Sequence, residues 1–228
     1  MGRRYRSRMA KTKKGLEAPR VDEADPRDLT DAPAEELRSR ESHDAERYDG
    51  GDLTEYDLEG STFSECVFEG ITFGATRLRG SRFVESVFVD PFAPEFSAAR
   101  TTWRTVRVDR PRWGSAELFD AELESVRLSG GKIDFLNLRG STLRDVVIEN
   151  CAIGELDLGG VRATRVALVD CRVGTLDVTS AELSSVDLRT TTFDRIDGIP
   201  GLRGAIIDDQ QLTLLAPLFA AQHGVIVE

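Results

Sequence analysis

Residues 57–70 read DLEGSTFSECVFEG, and this stretch contains the period of five that decides the fold. Large apolar residues stand at Leu58, Phe63 and Phe68. The small residue Ser61 stands two positions before Phe63. Neither the 3.6-residue period of an amphipathic helix nor the two-residue period of a strand fits this spacing. The pattern indicates a chain that makes a short extended segment and then turns, once every five residues.

The same period continues in steps of five from Leu53 to Phe193 without a polar residue in the slot. The slot two positions earlier is small or apolar in most repeats and is never charged between residues 51 and 195. Residues two apart in an extended segment point to the same side, so both slots are predicted to face inward. The predicted core ladder comprises Phe63, Phe68, Phe73, Phe83, Phe88, Trp103, Trp113, Leu118, Leu123, Leu138, Leu143, Leu158, Leu168, Leu183, Leu188 and Phe193.

Glycines mark the length of one coil. Gly60, Gly80, Gly140 and Gly160 are separated by multiples of twenty residues, and glycine accepts the positive φ that tight corners require. Twenty residues are four repeats of five, so each coil is predicted to have four sides.

The runs at 57–70, 137–143 (NLRGSTL) and 202–208 (LRGAIID) resemble the pentapeptide-repeat family, whose pattern is A(D/N)LXX. The resemblance covers about 145 residues. It implies an all-β fold, the right-handed quadrilateral β-helix of that family. We expect about seven coils, stacked at about 4.8 Å like neighbouring strands.

The sequence divides into three parts. Residues 1–47 are rich in charge and poor in apolar residues, so we expect a disordered tail. Residues 48–200 form the predicted β-helix, and residues 201–228 an irregular last turn and a C-terminal helical cap. The basic residues of the tail are concentrated in Arg3, Arg4, Arg6, Arg8, Lys11, Lys13 and Lys14.

The C-terminal part has the features of a capping helix. Asp208 and Asp209 offer N-cap chemistry, and Pro217 is predicted to kink or split the helix. Its apolar stripe consists of Leu212, Leu215, Leu218 and Phe219. The stripe fits two roles, covering the open end of the solenoid or forming a homodimer. Quinolone-resistance members of the family dimerise through this region, and both roles stay open here.

Two prolines interrupt the pattern within residues 89–99. Proline cannot donate a ladder hydrogen bond, so Pro91 and Pro94 predict a bulged face or a protruding loop, with a merely distorted corner as the alternative. Near Gly198 the repeat changes phase, because Leu202 and Ile207 continue it one residue out of step.

No catalytic constellation is apparent. His43 and His223 are the only histidines. Cys151 and Cys171 are twenty residues apart, which predicts stacked buried thiols in a reducing cytosol rather than a disulfide. No apolar run approaches the ~20 residues of a membrane span. We therefore expect a cytoplasmic protein that is not an enzyme, with no cofactor, no metal and no membrane partner.

Three binding roles remain. The first is a protein-interaction scaffold of unknown partner. The second is a mimic of DNA that binds a type II topoisomerase such as DNA gyrase, as the resemblance to quinolone-resistance members implies. Its acidic surface would comprise Glu149, Glu155, Asp157 and Asp177. A belt of arginines breaks that surface, namely Arg100, Arg104, Arg107, Arg110 and Arg112.

The third role is nucleic-acid binding through the basic tail and the arginine belt. The net charge of −10 argues against it, because the negatively charged phosphate backbone repels a protein that is itself negatively charged.

Overall fold

A parallel ladder with a register of twenty residues organises the computed structural model, which describes residues 17–226. Trp103 pairs with Leu123, and Leu123 pairs with Leu143. Each residue therefore lies on its equivalent in the next coil, and the four-sided β-solenoid predicted from the period is confirmed. The solenoid has about nine coils, two more than predicted.

Nineteen strands make up the described part of the solenoid. They are β1 (Thr30–Asp31), β2 (Ser42–Asp44), β3 (Glu46–Asp49), β4 (Thr62–Ser64), β5 (Val67–Glu69), β6 (Arg82–Val84), β7 (Val87–Val89), β8 (Phe92–Ser97), β9 (Thr102–Asp109), β10 (Arg112–Glu117), β11 (Glu122–Ser129), β12 (Lys132–Asn137), β13 (Thr142–Glu149), β14 (Ala152–Asp157), β15 (Arg162–Val169), β16 (Arg172–Asp177), β17 (Glu182–Asp187), β18 (Thr192–Asp197) and β19 (Ala205–Ile206). The six even-numbered strands β8 to β18 form one sheet, and the other thirteen form a second sheet.

The corners hold residues in the left-handed backbone region. Eighteen of the nineteen non-glycine residues with positive φ in residues 17–226 stand at positions that are multiples of five. Thr105 and Ser125, for example, have φ of 52° and 57°. Glycine marks only some corners, so the closure of the coil imposes this conformation on ordinary residues at a local cost.

The predicted core ladder fills the inside of the coils. Fourteen of its sixteen residues are buried, while Leu183 and Phe193 are half-buried because they lie at the C-terminal end. Rings stack along the axis where aromatic residues follow each other at intervals of twenty. The ring centroids of Phe68 and Phe88 are 4.8 Å apart, for instance.

The solenoid begins earlier than predicted. Strands β2 and β3 pair with β4 and β5, so the first coil uses residues that the sequence assigned to the disordered tail. His43 stacks on Phe63, and Tyr48 stacks on Phe68. These two residues occupy the inward slot, but their polar groups conceal the period. The prediction of disorder is therefore wrong for residues 17–47, whereas the basic residues of the tail lie outside the described part.

The N-terminal end of the solenoid carries its own cap. A short 3₁₀ helix, Ala34–Glu36, lies over the first coil, and Ala34 and Leu37 are buried in the core cluster. A β-carbon at Gly51 would lie 3.0 Å from the β-carbon of Ala34, which shows how closely the cap approaches the coil.

The proline-containing segment stays in the ladder. Strand β8 contains Pro94 and pairs in register with β10, Ala93 lying opposite Trp113. The predicted bulge or protruding loop is wrong. Pro94 stands opposite Gly114, between two paired stretches of the ladder, and a β-carbon at Gly114 would lie 2.3 Å from the Pro94 carbonyl oxygen. Gly154 and Gly174 approach the preceding coil in the same way, so this close approach belongs to the column and is not specific to the proline.

The C-terminal coil is one residue short. Val186 pairs with Ala205, a register of nineteen, which confirms the predicted change of phase. A 3₁₀ helix, Ile199–Leu202, absorbs the difference. Helix α1 (Asp209–Gln222) follows, and Asp208 caps it by accepting the N–H of Gln211.

Pro217 lies inside helix α1 and does not split it. The prediction of a broken helix is wrong, although the proline still removes one intrahelical donor. The predicted helical cap itself is present.

We predict that Phe88→Ala lowers the free energy of unfolding by about 3–5 kcal/mol, because it leaves a cavity in the stacked aromatic column. The matched variant Phe193→Ala removes a half-buried ring at the end of the same kind of column and should cost less than half as much. Urea unfolding followed by circular dichroism measures both. Equal losses of unfolding free energy in the two variants would contradict the difference in burial between Phe88 and Phe193.

Candidate protein-binding surfaces

The acidic residues proposed for DNA mimicry do not form one surface. Glu155 and Asp157 on β14 and Asp177 on β16 share the six-stranded sheet, where Asp157 lies opposite Asp177. Glu149 ends β13 in the other sheet, is buried, and pairs with Arg127 at 2.9 Å. Three of the four residues are therefore brought together, and Glu155 is the exposed one among them.

Arginine neutralises the shared acidic column. The guanidinium of Arg139 lies 2.8 Å from the carboxylate of Asp157 and 3.3 Å from that of Asp177. Burial opposes the ionisation of Asp177, but hydrogen bonds from Thr179 and the charge of Arg139 outweigh it and lower the pKa of the carboxyl. Arg139 thus compensates this part of the acidic column locally.

The same aspartates have a structural role. Each accepts a hydrogen bond from the backbone N–H two residues later, at 2.7 Å between Asp157 and Gly159 and at 2.8 Å between Asp177 and Thr179. Asn137 makes the equivalent bond in the preceding coil. Such a side chain satisfies a turn donor that the ladder leaves open. This explains why Asp or Asn recurs before the large inward residue without any reference to a ligand.

Four of the five arginines of the belt pair with acids, three of them with an acid of a neighbouring coil and Arg107 with Asp109 on its own strand. Arg110 makes two bonds of 2.8 Å to Asp90, twenty residues earlier. Arg100 lies 3.6 Å from Asp120, twenty residues later. Arg104 and Arg107 also have acidic partners, at 3.8 and 3.3 Å. These four arginines are thus part of a surface with alternating charge.

An extended N-terminal segment lies along the outside of the solenoid, which the sequence did not predict. We call residues 17–29 the strap. Three strap N–H groups donate to corner side chains of the solenoid, at 3.4 Å from Glu17 to Ser185, 2.9 Å from Arg20 to Asp145 and 2.8 Å from Asp22 to Ser125. The acceptors are spaced by multiples of twenty, so the strap runs along the axis, with its first residues beside the C-terminal coils.

The strap covers one corner of the solenoid. We call the residues Thr105, Ser125, Asp145, Arg165 and Ser185 the strap column. Corner residues elsewhere, such as Glu65 and Arg100, are exposed, whereas Ser125 and Asp145 are buried. Ala167 stands in an outward slot next to this column and is only 1% exposed. The strap lies over Ser125 and Asp145, which accept its N–H groups, and its own Ala24 is also buried.

An ion pair stands at the middle of the strap column. The guanidinium of Arg165 makes two bonds of 2.6 Å to the carboxylate of Asp145, and both side chains are largely buried. Burial opposes the ionisation of Asp145, but these bonds and the N–H of Arg20 outweigh it and lower the pKa of the carboxyl. The carboxylate of Glu17 also lies 3.6 Å from Arg165.

The four residues of the predicted stripe on helix α1 divide into two groups. Leu215 is buried and Phe219 packs against the core cluster, so these two cap the solenoid. Leu212 and Leu218 are 50% and 43% exposed and take no part in the cap. An open groove lined by Leu183, Ala205 and Phe219 runs between the helix and the last coils.

The described residues supply few groups for other chemistry. Between residues 17 and 226 no group of three or more His, Cys, Asp or Glu is arranged to hold a metal ion. The thiols of Cys66, Cys151 and Cys171 are free and buried, and burial raises the pKa of the Cys66 thiol to about 11. Within the same range no helix has the length and apolarity needed to cross a membrane.

We predict that Asp145→Asn lowers the free energy of unfolding at pH 7 by about 1–3 kcal/mol, since it removes charge-assisted bonds to Arg165. The pKa of Asp145 is lowered on folding, so its contribution is complete above the unfolded-state pKa of about 3.9. That contribution is lost as the pH falls through the folded-state pKa. Wild type and variant should therefore converge between pH 4 and pH 2 in urea unfolding experiments.

The exposed Asp134→Asn serves as the matched control for this pH experiment and should change stability little at any pH. A difference between wild type and Asp145→Asn that stays constant down to pH 2 would contradict the assigned role of the ion pair.

Comparisons with known proteins find similar solved structures only. No protein-family model matches the chain, and no curated protein matches it significantly. Trypsin-treated QnrB1, a plasmid-mediated fluoroquinolone resistance protein, is 19% identical over 83% of this chain and 91% of that chain, with a TM-score of 0.41. Full-length QnrB1 is 17% identical over 78% and 97%, with a TM-score of 0.28.

HetL, a pentapeptide-repeat protein involved in regulating heterocyst differentiation in the cyanobacterium Nostoc sp., is 16% identical over 77% of this chain and 94% of that chain, with a TM-score of 0.32. These likenesses transfer no function to the chain. Its own coils of twenty residues, with four inward-facing sides and left-handed corner residues, make the chain a four-sided parallel β-solenoid.

Proposed function

We propose that the protein is a non-catalytic scaffold that binds another protein through the C-terminal end of its solenoid. The supporting observation is the distribution of exposed apolar side chains. Of six large apolar residues exposed among the described residues, five lie on helix α1 or directly after it. They are Leu212, Leu214, Leu218, Val225 and Ile226. A concentration of apolar surface at one end of a soluble rod is typical of an interaction site.

The rest of the solenoid suits a rigid support for that site. Buried residues hold helix α1 in place from below, since the side chain of Gln211 donates to the carbonyl oxygens of Leu188 and Thr191, both at 2.7 Å. The helix is thus fixed to the last coil through its inner face, and its outer face is free to contact a partner. Repeat rods commonly present extended faces in this way.

The two histidines do not favour an enzyme. His43 lies in β2 at the N-terminal end of the solenoid, and His223 follows helix α1 at the opposite end. A histidine base must lie within hydrogen-bonding distance of its nucleophile, and the ring of His43 instead meets the carboxylates of Glu41 and Glu46. The non-catalytic role therefore rests on the arrangement of these side chains as part of the proposal.

We predict that the triple variant Leu212→Ser, Leu214→Ser and Leu218→Ser folds normally, because these side chains do not contact the core, and loses its partner. The measurement is a quantitative pull-down from the native lysate with wild type, the triple variant and Asp209→Ala as a polar control on the same helix. Wild type and control should retain the same protein, and the triple variant should retain it at least tenfold less.

Retention that is equal for all three baits would contradict the assignment of helix α1. A second copy of the chain is the other candidate for this face. Light scattering after size exclusion distinguishes the two, since a dimer that the triple variant abolishes would make the contact a self-association.

The alternative function, mimicry of DNA at a type II topoisomerase, would use Glu155, Asp157 and Asp177. Arg139 compensates two of these charges, which weakens the match to a continuous phosphate backbone. We predict that the protein does not inhibit supercoiling by DNA gyrase. Inhibition that is lost in the variant Glu155→Gln/Asp177→Asn, and retained in Glu95→Gln, would replace the scaffold proposal with DNA mimicry.

Nucleic-acid binding through the basic tail is not favoured by any described contact. The arginines of the belt that have acidic partners at short distance have little free charge to offer a phosphate.

A further inference from the structure

The strap contacts the solenoid through donors that any polypeptide carries. All three anchoring bonds use backbone N–H groups, those of Glu17, Arg20 and Asp22. The acceptors belong to the solenoid. Recognition by main-chain donors depends on an extended conformation and not on a particular sequence, as in other modes of peptide capture.

Apart from Ala24 and Glu17, whose carboxylate faces Arg165 at 3.6 Å, the side chains of the strap contribute little to specificity. Arg20, Asp22 and Glu23 are exposed, and Arg27 forms an ion pair with Asp25 within the strap itself. Only Ala24 is buried. The strap therefore requires small or apolar residues on one side and tolerates variation on the other.

The strap column is chemically complete without the strap. Asp145 and Arg165 already satisfy each other through two bonds of 2.6 Å. Departure of the strap would expose Ser125, Ser185 and this ion pair to water, which solvates all of them readily. No buried charge would lose its partner. The energetic barrier to exchange is therefore low compared with the opening of a core contact.

We propose that the strap column is a docking surface for an extended peptide segment of a partner protein, and that the strap is an exchangeable occupant of it. This inference deepens the proposed scaffold function by naming a second surface. The partner segment has free backbone N–H groups, a small residue in the position of Ala24, and an acidic residue facing Arg165, as Glu17 does at 3.6 Å. The three anchors from residue 125 to 185 span three coils, about 14 Å, which roughly five extended residues cover, and the position of Ala24 lies two residues beyond them.

The experiment uses full-length protein and a synthetic, N-acylated fluorescent peptide with the sequence of residues 17–28. Arg20→Pro/Asp22→Pro removes two anchoring donors, while proline keeps the strap extended. We expect this variant to bind the peptide at least tenfold more tightly than wild type, whose own strap competes at an effective concentration of about millimolar. Fluorescence anisotropy measures the affinity.

Glu23→Pro/Arg27→Pro is the matched control, because the N–H groups of these residues are not among the three anchors. It should behave like wild type. A second variant, Val21→Asp/Ala24→Asp, releases the strap through its apolar side and should bind the peptide as well. A peptide that carries both prolines should bind none of the proteins.

Failure of the peptide to bind either released variant, with circular dichroism showing an intact solenoid, would overturn the proposal. Equal affinity for wild type and released variants would also overturn it. So would a strap-exchanged dimer, which would make a second copy the occupant. None of these results bears on the pull-down through helix α1, so the two proposals fail separately.

Discussion

The structure depends on one constraint, that the chain must return to the same place every twenty residues. The parallel ladder enforces this, because each coil donates to and accepts from its neighbours at equivalent positions, as between Val126 and Val146. Once the register is fixed, inward slots stack on inward slots and corners on corners. The period of five, the apolar columns and the left-handed φ of residues such as Asp145 all follow from this closure. A single residue less, as between Val186 and Ala205, ends the regular solenoid.

The same constraint governs the surface. Residues twenty apart are neighbours, so charges of opposite sign compensate one another along the axis, as Arg110 and Asp90 do. Aspartates at the slot before the large inward residue bind turn donors, as Asp157 does with Gly159. An acidic residue on such a rod therefore has a structural explanation before a functional one. Two surfaces are of a different kind, the exposed apolar outer face of helix α1 and the strap column that an extended segment covers, and these two support a binding role.

The sequence could predict those parts of the molecule in which the five-residue period is visible. Between Leu53 and Phe193 the inward slots are apolar and their burial is readable directly. The sequence did not reveal the start of the first coil, because His43 and Tyr48 place polar rings in those slots. The strap could not be predicted, because an extended segment that is held by backbone N–H donors needs no periodic pattern of side chains in the sequence.

For helix α1 the sequence showed the apolar stripe but not which of its residues face the solenoid and which face away from it. Which face meets the solenoid depends on how the short last coil orients the helix, and only the structure separates Leu215 from Leu218. Helix α1 also continues through Pro217, which local propensity does not predict.

The most direct test of the account is hydrogen–deuterium exchange of the full-length protein, followed by mass spectrometry of peptides that cover residues 17–49. The account holds that this segment is part of the fold, with β2 and β3 in the first coil and the strap bound outside it. It predicts slow exchange in residues 42–49 and measurable protection at Arg20 and Asp22, whose N–H groups are bonded to Asp145 and Ser125. Exchange throughout residues 17–49 at the rate of an unfolded chain would contradict it.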